Sequence, residues 1–528
     1  MIHIVLFFFA LFSPNSKHNL KNAHLINILH NKALKRIPFC GILSKFAVII
    51  LKEPIMRRIF IPFSILFSTL LIFSSCLNSD DSEVVYYDDS GITSFTLGTL
   101  NRTMHTLSST GVDSTYQATI SGSDYQFYID QDKREIYNPD SLPYGTDVKH
   151  VVCTVVAKNN GVVGIKSLTS DSLFTYSSTD SLDFSTPRQM VAYANSGKAY
   201  RYYTVHVNVH QEEPDVFNWW DMGKQETFSF LNGMKAVTCG SKLFTFGQKD
   251  GQLVGYVTDN TDGRTWSQLT LPESLSQSVN AYQNILSKDG VLYILQDQQL
   301  LRSADGSNWE AVSTTNLSRL VAAGTKKLYG ISTAGAFMAS ADQGATWVEE
   351  KMDTSSEWLP EGNISYVCVP LRTNEDIERL VIAGNRNVDA YPNDRFAVVW
   401  GKVEDLSGDA EDNSWMFYNQ SDNSYCLPRL SNVTICSYGD VLLAFGGNGI
   451  GACTESAFSK IYVSLDGGLT WKGTSTYPVP EGLAGMSQPF ASVVDTNNCL
   501  WIIAGDGQVW RGRLNRLGWT YIQKKYYQ

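Results

Sequence analysis

Residues 464–471 read Ser-Leu-Asp-Gly-Gly-Leu-Thr-Trp, and related stretches recur through the second half of the chain. Segment 340–347 has the same length, while 303–309 and 261–266 are shorter but keep Asp, Gly and a closing Trp. We call these four segments the Asp-Gly-Trp loops. Two weaker echoes complete a series that ends at Trp266, Trp309, Trp347, Trp415, Trp471 and Trp519. Self-similarity at intervals of tens of residues is typical of a repeat architecture.

Each residue type in these loops has a physical role. The Asp carboxylate can accept backbone N–H groups of its own loop, Gly permits positive φ, and Trp begins the next strand and buries its ring between sheets. Two predicted strands precede each loop or echo. The first of each pair spans 242–247, 291–295, 327–331, 380–383, 441–445 or 500–504. The second spans 253–258, 300–303, 337–340, 396–402, 460–464 or 509–513. Each repeat therefore has room for the four antiparallel strands of a β-propeller blade.

The loops resemble the Asp-box (BNR-type) repeat, S-x-D-x-G-x-T-W, of sialidase-like propellers. The resemblance implies an all-β domain over 216–528 with six blades. Segment 217–220 (Phe-Asn-Trp-Trp) would lead into the first blade or supply an outer strand to the last one; if it is a separate blade remnant, the count becomes seven. The Asp-box is a structural loop in that family, which implies no catalytic role for Asp262, Asp305, Asp342 and Asp466.

Residues 91–211 predict a separate β-sandwich. Segments such as HVVCTVVA (150–157) and YRYYTVHVNVH (200–210) alternate with period two, and turn formers separate about seven short strands. The module resembles the Ig-like domains that open many Bacteroidetes surface lipoproteins. His206 and His210 would share one strand face; a metal pair is conceivable, but an exposed strand face is the interpretation we adopt. The break Gln211–Asp215 marks the domain boundary.

The N-terminal region predicts a targeting signal. Residues 56–75 have two arginines, Arg57 and Arg58, followed by an uncharged apolar run, and Cys76 closes it. This pattern is typical of a signal peptide, and Ser74-Ser75-Cys76 resembles a bacterial lipoprotein signal with Cys76 as the lipid-attachment residue. Phe73 departs from the usual Leu of that signal. A plain signal peptide and a short anchor helix are the alternatives.

The segments on either side complete the predicted localisation. Residues 1–55 are interpreted as an upstream extension from a start codon placed too early, with a genuine membrane segment as the alternative. Residues 76–90 form an acidic tether that resembles the export signal of surface lipoproteins, although a solvated tether explains it equally simply. We therefore expect a lipid-anchored outer-membrane protein, exposed at the cell surface, whose partners are the membrane and a glycan or surface protein.

Composition excludes several classes of protein. Charged residues are 18%, aromatic residues are 12% and the formal net charge is −10, which argue against a disordered chain and against a nucleic-acid partner. The seven cysteines beyond Cys76 have no CxxC spacing, so we expect neither a zinc site nor a disulfide framework. One disulfide among Cys426, Cys436 and Cys453 stays an open alternative in an oxidising compartment.

Catalysis would require residues that the sequence does not identify. The R-I-P motif that carries the first arginine of a sialidase-type triad does not occur within 216–528, although arginines do occur there, among them Arg386, Arg395 and Arg429. A glycosidase needs two suitably spaced carboxylates. Solvated loop positions are expected for the acidic candidates Asp221, Asp289, Asp376, Asp389, Asp394 and Glu455.

The longest insertions, 386–395 and the Gly-rich 446–459, are where we expect binding. Their neighbourhood includes Tyr391 and Tyr425, which could stack on sugars or be packed internally. We expect a non-catalytic binding or scaffolding module with no cofactor or metal; the alternatives are a glycoside hydrolase of sialidase-like fold and a structural component of an outer-membrane complex.

Overall fold

The computed structural model describes residues 85–107, 113–371, 373–407 and 414–519. The predicted upstream extension 1–55, signal peptide 56–75 and lipid-attachment residue Cys76 lie outside the described residues, as does most of the tether 76–90. The chain divides into two compact units after Tyr86, and the strands and helices named below all belong to the second unit. Among the described residues, none of the helices combines the length and the apolar character required to span a bilayer.

The first module consists of short strands. Its eleven described strands are β1 (Ile92–Leu97), β2 (Thr99–Leu107), β3 (Asp113–Ser121), β4 (Tyr128–Asp130), β5 (Glu135–Tyr137), β6 (Val151–Ala157), β7 (Val163–Lys166), β8 (Leu173–Thr175), β9 (Ser181–Leu182), β10 (Arg188–Tyr193) and β11 (Tyr200–His206). Short 3₁₀ helices occupy Gly122–Asp124 and Lys158–Asn160.

Two sheets of this module share one core. A three-stranded sheet has the order β1-β6-β9, a six-stranded sheet has the order β4-β5-β11-β10-β7-β8, and β2 pairs with β3 in a separate hairpin. Period-two alternation in β6 buries Val151 and Cys153 while exposing Val152, as the sequence predicts. The buried rings of Phe95 and Tyr203 belong to the shared core. The strand number exceeds the predicted seven or so because several strands have only two or three residues.

The second module begins at Phe217. Its strands are β12 (Phe217–Lys224), β13 (Gly233–Cys239), β14 (Lys242–Lys249), β15 (Gln252–Asp259), β16 (Ser267–Gln268), β17 (Ile285–Lys288), β18 (Val291–Gln296), β19 (Gln299–Ser303), β20 (Glu310–Thr314), β21 (Leu317–Ala323), β22 (Leu328–Ser332), β23 (Phe337–Ser340), β24 (Val348–Glu349), β25 (Glu361–Leu371), β26 (Asn374–Asn385), β27 (Val398–Asp405), β28 (Met416–Phe417), β29 (Thr434–Tyr438), β30 (Val441–Phe445), β31 (Ile461–Ser464), β32 (Lys472–Thr474), β33 (Phe490–Val494), β34 (Leu500–Ala504) and β35 (Gln508–Leu514). Helices are short: α1 (Glu273–Ser276) and the 3₁₀ helices Glu226–Phe228, Ala281–Asn284, Ser356–Trp358 and Asn515–Gly518.

These strands form a β-propeller domain. Within the described residues they build six four-stranded antiparallel sheets. We number the sheets one to six in the chain order of their first strands, which are β13, β17, β21, β25, β29 and β33. The first strands of the sheets contact one another in a ring, β13-β17-β21-β25-β29-β33, and β33 contacts β13 again. The strand pairs predicted ahead of each loop or echo are confirmed as the second and third strands of the six sheets.

The ring is closed by β12, which is the outer strand of sheet six. It pairs antiparallel with β35 from Phe217↔Leu514 to Lys224↔Gln508. Of the three roles left open for this segment, namely a lead into the first blade, an outer strand of the last or a separate remnant, the structure shows the outer strand. β12 thus occupies the fourth-strand position of sheet six, so the echo that ends at Trp519 does not lead into that strand. The Trp519 ring instead stacks on His210, with 3.5 Å between ring centroids.

The Asp-Gly-Trp loop of sheet five shows the predicted local bonding. Asp466 Oδ1 accepts the Thr470 N–H at 2.9 Å, and Oδ2 accepts the Thr470 hydroxyl at 2.6 Å. Ser464 Oγ accepts the Gly468 N–H at 2.8 Å, and Trp471 Nε1 donates to the Gly468 carbonyl at 2.9 Å. Gly468 has φ +95°, a value that disfavours residues with a Cβ. The loop therefore fixes its own shape and aims the buried Trp471 into the core.

All seven described cysteines are free thiols, including Cys426, Cys436 and Cys453. The pair left open among those three is therefore not formed. Cys436 is buried in the apolar core that joins sheets five and six, where it behaves as a small hydrophobic side chain.

Replacing the Asp466 carboxylate should loosen this loop. In Asp466→Ala the N–H and hydroxyl of Thr470 lose their acceptor, and we expect a loss of about 2 kcal/mol in unfolding free energy, measured by urea titration. The control is Glu481→Ala, which removes an exposed acid from another loop. Equal stabilities of the two variants would contradict the structural role of Asp466.

The equivalent loop of sheet three should make stability depend on acid. Hydrogen bonds from the hydroxyl and N–H of Thr346 lower the pKa of Asp342 to about 2. Because the unfolded carboxyl has a pKa near ~3.9, this stabilisation is complete above that value and is lost as pH falls towards 2. We expect Asp342→Asn to flatten the fall of the melting temperature between about pH 4 and pH 2, whereas Glu481→Gln should leave its slope unchanged.

Candidate functional site

Two long loops lie on one face of the propeller. Segment 386–397 joins β26 to β27 in sheet four, and segment 446–460 joins β30 to β31 in sheet five. Both connect a second strand to a third, whereas the Asp-Gly-Trp loops connect a third to a fourth. Because neighbouring strands are antiparallel, the two kinds of loop lie on opposite faces. We call segments 386–397 and 446–460 together the loop platform.

Arg429 holds the loop platform together. Its side chain is 0% exposed, and its guanidinium donates to the carbonyls of Tyr391 at 2.6 Å and Arg386 at 2.7 Å. The Arg429 carbonyl accepts the N–H of Ile450 at 3.0 Å, so the same residue bonds to both loops. A Cβ on Gly451 would lie 2.6 Å from the Arg429 guanidinium, which explains why glycine occupies that position.

A second buried arginine stiffens the first loop. The Arg386 guanidinium forms a two-bonded ion pair with Asp394, at 2.9 and 2.8 Å. It also lies between two rings, 3.9 Å from the centroid of Trp358 and 3.7 Å from that of Tyr391. Two-bonded carboxylate pairing together with stacking on aromatic faces is the geometry in which arginine is difficult to replace by lysine. The loop therefore has a defined conformation, and its backbone is fixed by two arginines.

Comparison with known families shows to which family the chain belongs. Residues 213–522 match the model described as the DUF6242 beta propeller domain, and residues 95–207 match the DUF6242 N-terminal domain of unknown function. The chain belongs to the DUF6242 family. No curated protein matches it.

Solved structures similar to the DUF6242 chain include YCF48 from Cyanidioschyzon merolae, with 14% identity, TM-score 0.30 and coverage of 56% of this chain and 98% of that one. BamB from Moraxella catarrhalis has 11% identity, TM-score 0.27 and coverage of 66% and 95%. The WD40 domain of Toxoplasma gondii coronin has 11% identity, TM-score 0.29 and coverage of 57% and 88%. TM-scores this low carry no argument about the function of the DUF6242 chain.

The structure brings together only some of the residues singled out from the sequence. Arg386, Tyr391, Asp394 and Arg429 meet in the first loop of the platform. Glu455 lies in the second loop, where it accepts from the Ser459 hydroxyl at 3.2 Å and pairs with Lys460 at 3.4 Å. The pairing of Glu455 is thus internal to its own loop.

The other acidic candidates are scattered. Asp389 is exposed on the loop platform, while Asp221 accepts from Gln508 and from the Gly223 N–H beside the closing strand. Asp289 pairs with Lys288 at 2.6 Å in sheet two, and Asp376 is exposed in sheet four. These positions do not form a common carboxylate pair.

His206 and His210 do not lie on the same strand. β11 ends at His206, so the expectation of one strand face shared with His210 is wrong. His210 lies beyond that strand, against Trp519. Across the described ranges, no cluster of three or more His, Cys, Asp or Glu could hold a metal ion.

A buried ionic cluster joins sheets three and four. Lys402 pairs with Glu350 at 2.7 Å, and Lys327 pairs with Glu404 at 2.6 Å. Glu378 accepts the Thr325 N–H at 2.9 Å and its hydroxyl at 2.6 Å. Each carboxylate therefore has a partner inside the protein, and the cluster fastens two sheets together.

Sequence reasoning missed Trp358 and this ionic cluster. Trp358 closes a 3₁₀ helix just before β25 and carries no Asp-Gly signal, so nothing in its surroundings marks it as the stacking partner of Arg386. The ionic residues Glu378, Lys402 and Glu404 do leave a signal, because they are charges inside otherwise apolar strands.

Removing the Arg429 guanidinium should loosen both platform loops. We expect Arg429→Met to unpair several buried carbonyls, to lower the unfolding free energy by about 3 kcal/mol and to speed amide exchange at residues 386–395 and 450–452. The control is Arg395→Met, which replaces an exposed arginine of segment 386–397. Hydrogen exchange with mass spectrometry checks both; similar protection in the two variants would show that Arg429 does not organise the loop platform.

Proposed function

We propose that the chain is a lipid-anchored cell-surface binding protein whose loop platform recognises a partner protein. The observation that carries this proposal is the construction of the loop platform. Two buried arginines, Arg386 and Arg429, hold two long loops in a fixed shape on one face of a rigid scaffold. Preorganised loops bind at a lower cost in conformational entropy than mobile ones.

The ring geometry favours a protein over a glycan as the ligand. One face of Tyr391 is covered by the Arg386 guanidinium, and the Lys472 ammonium lies 4.5 Å from the ring centroid of Tyr425. Both tyrosines considered for stacking on sugars therefore have a ring face occupied by a cation. The exposed part of the loop platform is instead mainly polar, with Asn387, Asp389 and Asn393, beside one large apolar side chain, Val388, which is 40% exposed.

The finer architecture is part of the same proposal. Six four-stranded sheets in a ring support a six-bladed propeller, and the self-bonded Asp-Gly-Trp loops support their assignment as Asp-boxes. Two sheets around one core support an Ig-like spacer at 91–211, ahead of the propeller at 216–528. In this arrangement Cys76 carries the lipid and residues 76–90 form the tether at the surface of a Bacteroidetes-type outer membrane.

Glycoside hydrolysis has less support than binding. The first strands of the six sheets line the propeller axis, and among their described residues the acidic one is Glu361, which accepts from Asn387 at 3.1 Å. Hydrolysis of a glycoside by the usual route needs two carboxylates on either side of the bond. These strands do not supply such a pair at the axis.

Site-specific crosslinking tests the proposal. A photoreactive benzoylphenylalanine at Asn393, exposed on the loop platform, should give a discrete adduct with one surface protein in cells that make the chain. The same group at Leu465, 81% exposed on the opposite face, should not. The purified partner should bind the full chain, and Asp389→Lys should weaken binding more than Glu481→Lys.

Three results would contradict the proposal. Adducts of equal pattern at both positions would show that the loop platform is not the binding face. Glycan-array binding by the full chain without a protein adduct would replace the protein partner by a sugar. Release of free sugar from any array glycan would favour the hydrolase.

A further inference from the structure

An open cavity lies where the first module, the connection to the propeller and the closing strand β12 meet. Its volume is about 510 Å³, and small-molecule sites usually have roughly 300–1,000 Å³. Separate segments of the chain line it, through Tyr144 of the first module, Glu213 of the connection, Asn218 and Trp220 of β12, and Arg513 and Asn515 at the end of β35. We call this space the junction cavity.

Hydrogen bonds fix the walls of the junction cavity. The Asn515 side chain accepts the amide N–H of Asn218 at 2.7 Å and donates to the Glu213 carbonyl at 2.8 Å. The backbone N–H of Asn515 donates to the Val216 carbonyl at 3.0 Å. The connection and the end of β35 therefore hold each other in place. A ligand finds these walls already formed, which lowers the cost of binding.

Trp220 supplies an accessible aromatic surface. It pairs across the strands with Arg511, and the guanidinium carbons of Arg511 and Arg513 lie 5.4 and 6.0 Å from the centroid of its ring. These distances are longer than the 3.7 Å between Arg386 and the Tyr391 ring, so neither guanidinium is stacked closely on the indole. Trp220 is 38% exposed, and its indole N–H has no acceptor among the described residues.

The charges that line the junction cavity are of both signs. Glu212 and Glu213 disfavour an anion, and Arg513 disfavours a cation. A neutral ligand avoids both penalties and can still use the polar groups. Trp220 and Arg513 can donate hydrogen bonds to it, whereas the Asn218 amide oxygen and the Glu213 carboxylate can accept them.

We propose that the junction cavity binds a neutral sugar residue of a glycan. A pyranose ring has an apolar face of C–H groups and a rim of hydroxyl groups that both donate and accept hydrogen bonds. The apolar face packs on the Trp220 indole, and the hydroxyl groups bond to Asn218, Glu213 and Arg513. The site lies at the end of a third strand, on the face opposite to the loop platform, and does not depend on the partner protein proposed for that platform.

A glycan array tests the site. The full chain in detergent is applied to an array of neutral and acidic glycans, and the affinity of the strongest neutral glycan is then measured by calorimetry. We expect saturable binding of at least one neutral glycan. Trp220→Ala should weaken that binding by about tenfold or more because the stacking surface is lost, whereas Trp220→Phe should retain part of it.

A second variant fills the cavity and leaves Trp220 in place. Val216 lines the junction cavity and its side chain is exposed, so Val216→Trp should fold and should block the sugar by occupying its space. The control is Tyr116→Ala, which removes an exposed aromatic side chain of β3 outside the cavity and should bind as the unmodified chain does. If Trp220→Ala does not fold, Val216→Trp carries the test.

Three results would overturn the proposal. These are no saturable binding of any neutral glycan, binding confined to acidic glycans, and an affinity that Trp220→Ala and Val216→Trp leave unchanged. The absence of a crosslinked adduct at Asn393 would contradict the partner protein of the loop platform, but it would not affect the junction cavity.

Discussion

The pairing of β12 with β35 is the constraint on which the propeller depends. It joins segments that are far apart in the chain: Asn218 donates to Asn515 at 2.7 Å across 297 residues. Without this pairing, sheet six would expose the edge of β35, and the ring would be held there only by the contacts between first strands and the apolar cores between neighbouring sheets. Since the cost of closing a loop grows only slowly with its length, the ladder of β12 can stabilise a ring of this size. The loop platform is built on that closed ring.

The repeats could be predicted from the sequence because their bonding is local. Asp466 bonds to Thr470 and Ser464 bonds to Gly468, each four residues away, so a short motif contains its own structural reason. The second and third strands next to each loop follow the same logic. The place of β12 could not be decided, because its partner is at the other end of the domain. The parallel pairing of β5 with β11 could not be predicted either, because short strands separated by long connections give no periodic pattern in the sequence.

The candidate site was predictable only as far as it lies within one loop. Arg386, Tyr391 and Asp394 are eight residues apart at most, and their loop is marked by turn formers and charges. The residues that complete it come from elsewhere: Arg429 from the connection before β29, and Trp358 from the connection before β25. A sequence shows that an arginine or tryptophan is present, but the choice of partner is made by the packing of neighbouring sheets.

The two faces of the propeller carry different kinds of loop for a physical reason. On the face of the Asp-Gly-Trp loops, each of these four loops bonds to itself and directs a tryptophan towards the core, so a longer loop in its place would disturb packing. On the other face, the connections between second and third strands do not have to place a tryptophan in the core. Insertions at 386–397 and 446–460 are tolerated there because they leave the strand ladders intact, but an insertion without its own core would be mobile. Arg386 and Arg429 supply that core with charge and hydrogen bonds in place of apolar side chains, and this keeps polar loops ordered at the surface.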